Sequence, residues 1–229
     1  GNNTAVGASA LLANTTGSGT AVGALALDAN TTGANGTAVG VNALTANTTG
    51  DSNTALGVAA LGANTTGTLN TAVGVYAGDA MVSGSNNAML GYEADAAATT
   101  TSNSITLGNG SVSALRCQVQ TISALSDRRD KKDIEDLPVG LDFINTLRPV
   151  KFTWNMRSGH KVDIKEAGFI AQDLDAAQQE FDAEEYLQLV LKDNPDKLEA
   201  AYGKLVPMLV KAVQELSAEI NELKEKLNG

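Results

Sequence analysis

The sequence predicts two modules of different fold class: an N-terminal all-β rod of short repeats, and a C-terminal α+β module that ends in a parallel coiled coil. Three observations lead to this prediction. A glycine recurs every 16 or 17 residues through residues 1–110. Charged residues concentrate in residues 126–229, which hold 36 of the chain's 42. Residues 205–228 carry apolar side chains in a heptad pattern. This abrupt change of composition indicates two separately folded modules.

The rod is an internal repeat whose period can be counted. The glycine that closes each Thr-Ala-Val-Gly-like block recurs after one step of 16 residues and five of 17, at Gly7, Gly23, Gly40, Gly57, Gly74, Gly91 and Gly108. An Asn-Thr-Thr-Gly turn signal recurs at 14–17, 30–33, 47–50 and 64–67. Runs such as residues 37–41 and 42–44 have the composition of short strands. A unit with two strands and two turns has the size of one β-solenoid rung, so seven turns are predicted.

Each rung has little interior of its own, because Ala, Val and Leu are the apolar side chains it contributes. Three chains wound around a common axis would bury a second face and remove exposed strand edges. We therefore expect a homotrimeric β-roll. The Asn-Thr-Ala-Val-Gly and Ala-x-Ala units of residues 1–110 resemble the head repeats of trimeric autotransporter adhesins and the β-rolls of phage tail fibres. This resemblance implies the same kind of trimeric rod.

Polar residues of the rod allow alternative interpretations. Four asparagines satisfy the Asn-x-Thr pattern of a glycosylation site: Asn14, Asn30, Asn47 and Asn64. The same residues suit a turn, which is the interpretation we favour. Rows of Thr and Asn could bind a host surface glycan or receptor, or could form a solvated face. Tyr76, Met81 and Tyr92 interrupt the repeat after Gly74, as a binding tip or as a transition to the next module.

Composition excludes several classes of function. The net charge of -10 divides as -4 before Ser126 and -6 from Ser126 onward, so neither half offers the basic surface that nucleic acid or an anionic membrane requires. A single cysteine, Cys117, and a single histidine, His160, provide neither a disulfide framework nor a zinc cluster. The sequence implies no cofactor and no membrane span. Residue 1 is expected to be a boundary inside a longer protein.

The modules are joined by a predicted neck over residues 111–125. Its apolar residues are spaced 3, 4, 3 and 3 apart, at Val112, Leu115, Val119, Ile122 and Leu125. This spacing fits a short helix, a three-stranded neck around the trimer axis, or an irregular strand. Cys117 is expected to be packed within the neck, with interchain pairing as the alternative.

The second module has the residue patterns of an α+β domain. Its predicted elements are a helix start at Ser126-Asp127, an amphipathic helix over 141–147, a hairpin of strands at 150–154 and 161–164, and a helix near 174–181. The C-terminal heptads consist of Val206, Leu209, Val213, Leu216, Ile220, Leu223 and Leu227. Apolar steps of 3 and 4 with Lys and Glu between them predict a parallel coiled coil in register with the trimer.

Four motifs occur in order along residues 126–229: Ser126-Asp127-x-Arg129-x-Lys131-x-x-Ile134, Leu147-Arg148-Pro149-Val150-x-Phe152-x-Trp154, Gly168-Phe169-Ile170-Ala171-Gln172-Asp173, and Tyr202-x-Lys204-Leu205-Val206-Pro207. Together they resemble the endosialidase-type intramolecular chaperone. The resemblance implies a module that drives trimerisation and folding of a phage fibre or spike, and then releases itself by autoproteolysis at the motif serine. A repeat rod is the kind of client that such chaperones serve.

The residues of the first motif can support that chemistry. A serine needs a base to act as a nucleophile, and Lys131 can serve Ser126 if burial or a cationic neighbour such as Arg129 makes a neutral amine available. Asp127 could orient the site or cap a helix. The cut would fall beside Ser126, either at Leu125-Ser126 through an ester or at Ser126-Asp127 through a strained ring. The alternative is that Ser126 is a helix N-cap and Lys131 a solvated lysine.

Several functions remain open at this point. The first is a tail-fibre or spike fragment of a virion whose self-cleavage is a single turnover, with no external substrate. The second is a trimeric adhesin or receptor-binding fibre in which the second module only trimerises. Others are a fibre with a glycan-degrading enzyme further upstream, and a membrane-anchored cellular protein that frees an upstream fragment. The five acids of residues 1–110 are scattered, so a glycoside hydrolase is not expected within the rod itself.

Overall fold

The chain divides into two units, Gly1–Ala114 and Leu115–Gly229. The computed structural model describes residues 2–118 and 122–228. The first unit contains the glycine repeat, and the second contains the four motifs of the charged half. No helix among the described residues is long and apolar enough to cross a bilayer.

The rod is a β-solenoid with one short strand in each rung. The strands are β1 Asn3–Val6, β2 Gly19–Val22, β3 Gly36–Val39, β4 Thr54–Leu56, β5 Thr71–Val73, β6 Ala88–Leu90 and β7 Ile105–Leu107. They form one parallel sheet in chain order, and equivalent residues of the repeat pair directly, as Ala21 with Ala38 and Ala38 with Ala55. The predicted 17-residue solenoid is therefore confirmed, with about six turns instead of seven.

The prediction of a second strand in each rung is wrong. Residues 42–44 lie in a turn, and Asn42 and Leu44 have φ angles of 60° and 52°. These left-handed conformations are incompatible with a strand. They recur one repeat later at Ala59 and Leu61, with φ angles of 54° and 51°. Each rung has a single strand because residues in left-handed conformations bend the chain back. A composition rich in Ala and Leu does not predict such bends.

Small side chains fill the interior of the rod, because each rung encloses little space. Two rows of alanines are fully buried: Ala21, Ala38, Ala55 and Ala72 on the strands, and Ala26, Ala43, Ala60 and Ala77 at the corners. Leu27, Leu44 and Leu61 stack between these rows. The residues on either side of each strand alanine point away from this interior, so the outer face of the sheet carries Thr and Val or Leu.

An asparagine ladder, Asn14, Asn30, Asn47 and Asn64, runs along the interior. Every amide Nδ2 donates to the carbonyl of the glycine three residues on, at 3.0–3.1 Å, and from the second asparagine onward each also donates to the side-chain oxygen of the asparagine one rung before it, at 2.9–3.0 Å. Asn30, Asn47 and Asn64 are buried, which supports the turn interpretation over glycosylation. The ladder ends where Met81 replaces the next asparagine, and among the described residues Asn64 Oδ1 has no hydrogen-bond partner.

Asp95 gives the rod a predictable pH dependence. Burial and then the carboxylate of Asp79 raise the pKa of the half-buried Asp95 to about 6. A pKa raised in the folded state means that the rod gains stability as the pH falls through 6 and loses it as the pH rises. Between about pH 7.5 and pH 5 we expect a gain on the order of 1 kcal/mol, after allowance for solvent screening. The urea midpoint of the rod measures this gain, and Asp95→Asn should flatten it; an unchanged slope in the variant would contradict the assignment.

The second unit combines a helical core with two small antiparallel sheets. Its helices are α1 Leu141–Thr146, α2 Ala171–Glu180, α3 Glu184–Leu187 and α4 Val206–Asn228, with 3₁₀ turns at Arg128–Asp130 and Tyr202–Leu205. Its strands are β8 Val150–Asn155, β9 Val162–Gly168, β10 Val190–Leu191 and β11 Glu199–Ala200. Strand β8 pairs with β9 and β10 with β11. The predicted hairpin and both internal helices are present.

The core of this unit forms around α1, α2 and the first turns of α4. Phe143, Leu174, Leu189 and Met208 are fully or almost fully buried, and the ring of Phe143 meets that of Phe181 edge-on at 5.3 Å between centroids. Because Met208 and Ala212 on α4 face this core, the helix is anchored by one side only. Its heptad row lies on another side.

The neck and the start of the second module differ from expectation. No regular helix or strand is present among the described residues of 111–125, and Val119 lies outside the described residues. Cys117, which was expected to be packed within the neck, is exposed. The helix expected to begin at Ser126 is a single 3₁₀ turn, and the residue that caps it is Asp127. A longer helix does not form because no side chain of the turn is buried against the core.

Candidate functional site

Ser126 and Lys131 are brought together by the 3₁₀ turn between them. Lys131 Nζ donates a hydrogen bond of 2.7 Å to Ser126 Oγ. The turn spans Arg128–Asp130 and is closed by the backbone N–H of Lys131, which donates to the carbonyl of Arg128 at 3.2 Å. Five residues along an extended chain would separate the two side chains by roughly 17 Å. The turn therefore creates the contact.

Asp127 and Arg129 form a second contact within the same turn. Asp127 Oδ1 accepts from the backbone N–H of Arg129 at 2.8 Å, and the guanidinium of Arg129 donates to both carboxylate oxygens, with Nη2 to Oδ2 at 2.6 Å. The Arg129 side chain, followed by its backbone N–H, lowers the pKa of the Asp127 carboxyl. The same contact raises the pKa of Arg129. The charge of Arg129 is thus paired with Asp127 within the turn.

The site is open to solvent in the single chain. Ser126 and Lys131 are exposed, and the side chain of Leu125 is 98 % exposed. Both candidate scissile bonds therefore lie on an accessible segment. In this arrangement the lysine donates to the serine, whereas base catalysis requires an amine that accepts the hydroxyl proton. Burial disfavours the charged form of an amine. Covering Ser126 and Lys131 with other protein atoms would therefore favour the neutral amine that base catalysis requires.

Residues of the second, third and fourth motifs contact one another in the second unit. The hydroxyl of Tyr202 accepts from the backbone N–H of Phe169 and donates to its carbonyl, both at 3.1 Å, and the two rings pack edge-on at 5.7 Å. A side chain at Gly168 would approach the Tyr202 hydroxyl to 2.9 Å. Arg148 bridges to Asp173 at 3.0 Å. These motif residues hold α2 and the hairpin in place and have a structural role.

Trp154 of the second motif belongs to a small polar cluster on the hairpin. Its indole Nε1 and the ammonium of Lys161 each donate to Glu166 Oε2 at 2.6 Å. Lys161 Nζ also lies 4.6 Å from the centroid of the indole ring. Lys161, followed by Trp154, lowers the pKa of Glu166. This cluster ties β8 to β9 near the turn of the hairpin.

Two residues of structural importance, Gln178 and Glu215, lie outside the four motifs. Glu215 on α4 accepts from the backbone N–H of Leu141 at 2.6 Å, and so caps α1, whose preceding residue Gly140 has no side chain to do this. Gln178 is fully buried and accepts from the backbone N–H of Leu189 at 2.9 Å. A glycine before a predicted helix signals a missing cap, but not which distant residue supplies it.

Comparison with protein-family models agrees with the first three motifs, whereas the fourth, at residues 202–207, lies beyond the matched residues. No curated protein and no solved structure matches the chain with significant similarity. A peptidase family model described as the chaperone of endosialidase matches residues 126–183, the range that contains the Ser126–Lys131 contact, the hairpin and α2. The match implies autoproteolytic peptidase activity in general terms. Residues 126–183 are therefore similar to the endosialidase chaperone family, and they follow a β-solenoid in the chain.

Proposed function

We propose that the chain is a fragment of a phage tail fibre or spike, whose C-terminal chaperone module assembles three copies of the rod and then releases itself by cleavage beside Ser126. The observation that carries the proposal is the 2.7 Å contact between Lys131 Nζ and Ser126 Oγ, within the segment that matches the chaperone family. The proposed location of the assembled fibre is the virion.

Two exposed apolar rows support assembly with other copies of the chain. On the rod, the Val or Leu before the repeat glycine is exposed at most rungs, as at Val6, Leu56 and Leu90, and is half-buried at Val39 and Val73. On α4 the heptad residues from Val206 to Leu227 are all at least 41 % exposed. Neither row contains a charged residue. Burial of apolar rows of this length is the main favourable term in association.

The coiled coil alone does not fix the number of chains. Val213 and Ile220 occupy a positions and Leu216 and Leu223 occupy d positions of the heptads, a combination that favours two strands in simple zippers. Three chains are proposed because the rod repeats and the module both resemble trimeric proteins. The mass of the assembled chain therefore decides between a trimer and a dimer.

Cleavage is proposed at the Leu125–Ser126 bond. Ser126 Oγ attacks the carbonyl carbon of Leu125, the C–N bond between the two residues breaks, and Lys131 carries the hydroxyl proton to the departing α-amine of Ser126. Water then hydrolyses the ester, which leaves a carboxylate on Leu125 and restores the hydroxyl of Ser126. Attack on Leu125 passes through a five-membered ring, whereas attack by Ser126 on its own carbonyl requires a four-membered ring, which favours the first bond.

Assembly and cleavage are coupled in this proposal. Ser126 and Lys131 are exposed in the single chain, so neighbouring chains that cover them would remove water from the amine and favour its neutral form. Parallel β structure made from three chains has high contact order, and a C-terminal trimer supplies the register before pairing begins. Cleavage afterwards removes the module through which the fibre could disassemble, and leaves it kinetically trapped.

Ile220→Lys tests this order of events. We expect the wild-type chain to reach the mass of a trimer and then to split into a fragment ending at Leu125 and one beginning at Ser126. A lysine in the heptad row should abolish assembly and, with it, cleavage, because a buried ammonium at this position costs several kcal/mol. Light scattering and intact mass give both readouts. Asn221→Lys adds the same charge beside the row and should assemble and cleave normally.

The outcome separates the main proposal from its alternative. A trimeric adhesin or receptor-binding fibre is favoured by the exposed pair of Tyr76 and Tyr92, the only aromatic residues of 1–110, whose rings meet at 6.5 Å. In that case the wild-type chain would assemble and stay intact. Cleavage of monomeric Ile220→Lys at the wild-type rate would contradict the coupling of cleavage to assembly.

A further inference from the structure

The contact between Ser126 and Lys131 depends on a turn that has little other support. The turn is three residues long, and none of its side chains is buried. Its two closing backbone hydrogen bonds, from Asp130 to Asp127 and from Lys131 to Arg128, are both 3.2 Å long. A single helical turn fixes several backbone angles for few hydrogen bonds and is unfavourable alone in water. Some other interaction has to hold it.

Asp127 provides that interaction as the N-cap of the turn. It has the extended backbone typical of a cap, with φ of -67° and ψ of 134°, and its Oδ1 accepts from the N–H of Arg129 at 2.8 Å. This bond satisfies a backbone donor that the short turn cannot pair internally. This hydrogen bond sets the direction in which the chain leaves the turn. It therefore brings Lys131 towards Ser126.

Arg129 holds the cap in its bonding rotamer. Its Nε lies 3.1 Å from both carboxylate oxygens of Asp127, and its Nη2 lies 2.6 Å from Oδ2. Such a fork restricts the rotation of the carboxylate and keeps Oδ1 directed at the backbone N–H. Both oxygens of Asp127 are therefore engaged within the turn, where they serve neither Ser126 nor Lys131.

We infer that Asp127 is a positioning residue for autoproteolysis, which acts as the cap that folds Lys131 back onto Ser126, with Arg129 as the clamp on that cap. This inference rests on the proposed function, because it assigns a role in the same cleavage. The inference requires a hydrogen-bond acceptor at residue 127 for cleavage, but it does not require a negative charge there. Asparagine supplies such an acceptor, whereas alanine supplies none.

The rate of self-cleavage in Asp127→Asn and Asp127→Ala tests this distinction in the full-length chain. An N-cap replaced by alanine typically costs about 0.5–2 kcal/mol, so Asp127→Ala should cut about 2- to 30-fold more slowly. Asp127→Asn should cut within about 3-fold of wild type and with an unchanged dependence of rate on pH. Arg129→Gln, which leaves the backbone N–H in place, should fall between the two. Trimer mass and thermal midpoint should be unchanged in all three.

Other cleavage rates in these variants would contradict specific parts of the inference. If Asp127→Asn were as slow as Asp127→Ala, or lost one limb of the pH profile, the charge would be essential and the positioning role would be wrong. If Asp127→Ala cut as fast as wild type, the cap would not be needed. An uncut wild-type chain would overturn the proposed function itself, together with this inference. A cut wild-type chain with equally fast variants would overturn the inference alone.

Discussion

Ser126→Ala should leave the chain uncut, with a single full-length band and the intact mass of all 229 residues. Alanine has no hydroxyl to form the ester with Leu125, so the proposed reaction loses its first step. Removal of the nucleophile of a serine peptidase lowers the rate by a factor on the order of 10⁶ where it has been measured in full, and a loss of at least about 10³-fold is expected here. A denaturing gel followed by mass spectrometry measures the result.

Ser123→Ala is the matched control, because Ser123 lies three residues upstream on the same exposed segment. It should be cut like the wild-type chain. Normal cleavage of Ser126→Ala would show that the nucleophile has been assigned wrongly. Lys131→Met, which keeps the length of the side chain but has no amine, should also remain uncut. A trimer of Ser126→Ala should unfold more readily than the cleaved fibre, because the uncut module keeps a route to disassembly open.

The sequence pointed to two residues that the structure places in contact, but not to the reason they meet. Ser126 and Lys131 were predicted from their motif, whose spacing alone fits either a helical turn or a bend. The structure shows a 3₁₀ turn with Asp127 as its cap, where a longer helix starting at Ser126-Asp127 was expected. The identity of the cap is hard to predict from sequence, because Ser and Asp are both favourable N-cap residues. Here the contact of Asp127 with Arg129 favours Asp127.

The fold was predictable where it follows from periodicity. The glycine period determines the strand register, and steps of 3 and 4 predict α4, because each pattern repeats many times and tertiary packing does not override it. The second strand of each rung was predicted wrongly, since its corner places leucines such as Leu44 and Leu61 in left-handed conformations that propensities exclude. Glu215 and Gln178 act through partners that are distant in sequence, and a single sequence does not reveal such pairs.

Gly57→Ala should break the stacking of the rod at its centre. Gly57 has a φ angle of 143°, a conformation that side chains rarely adopt, and an added Cβ would lie 2.5 Å from the carbonyl carbon of Gly74 in the next rung. Neither atom can move aside alone, because each rung is bonded to the next, as when the N–H of Gly74 donates to the carbonyl of Leu56 at 2.8 Å. Strain and overpacking together should destabilise the rod by on the order of 3 kcal/mol.

Hydrogen exchange of the amides in β4 and β5 measures this effect where it arises, while the amides of α1 and α2 in the other unit serve as an internal reference. Gly62→Ala is the matched control, because Gly62 lies in the same rung without a positive φ angle, and the nearest atom to its added Cβ is the carbonyl oxygen of Ala59 at 3.0 Å. It should change protection much less. Equal protection of β4 and β5 in Gly57→Ala and wild type would mean that the rungs separate or shift easily. The close stacking through the repeat glycines would then not be what holds the rod together.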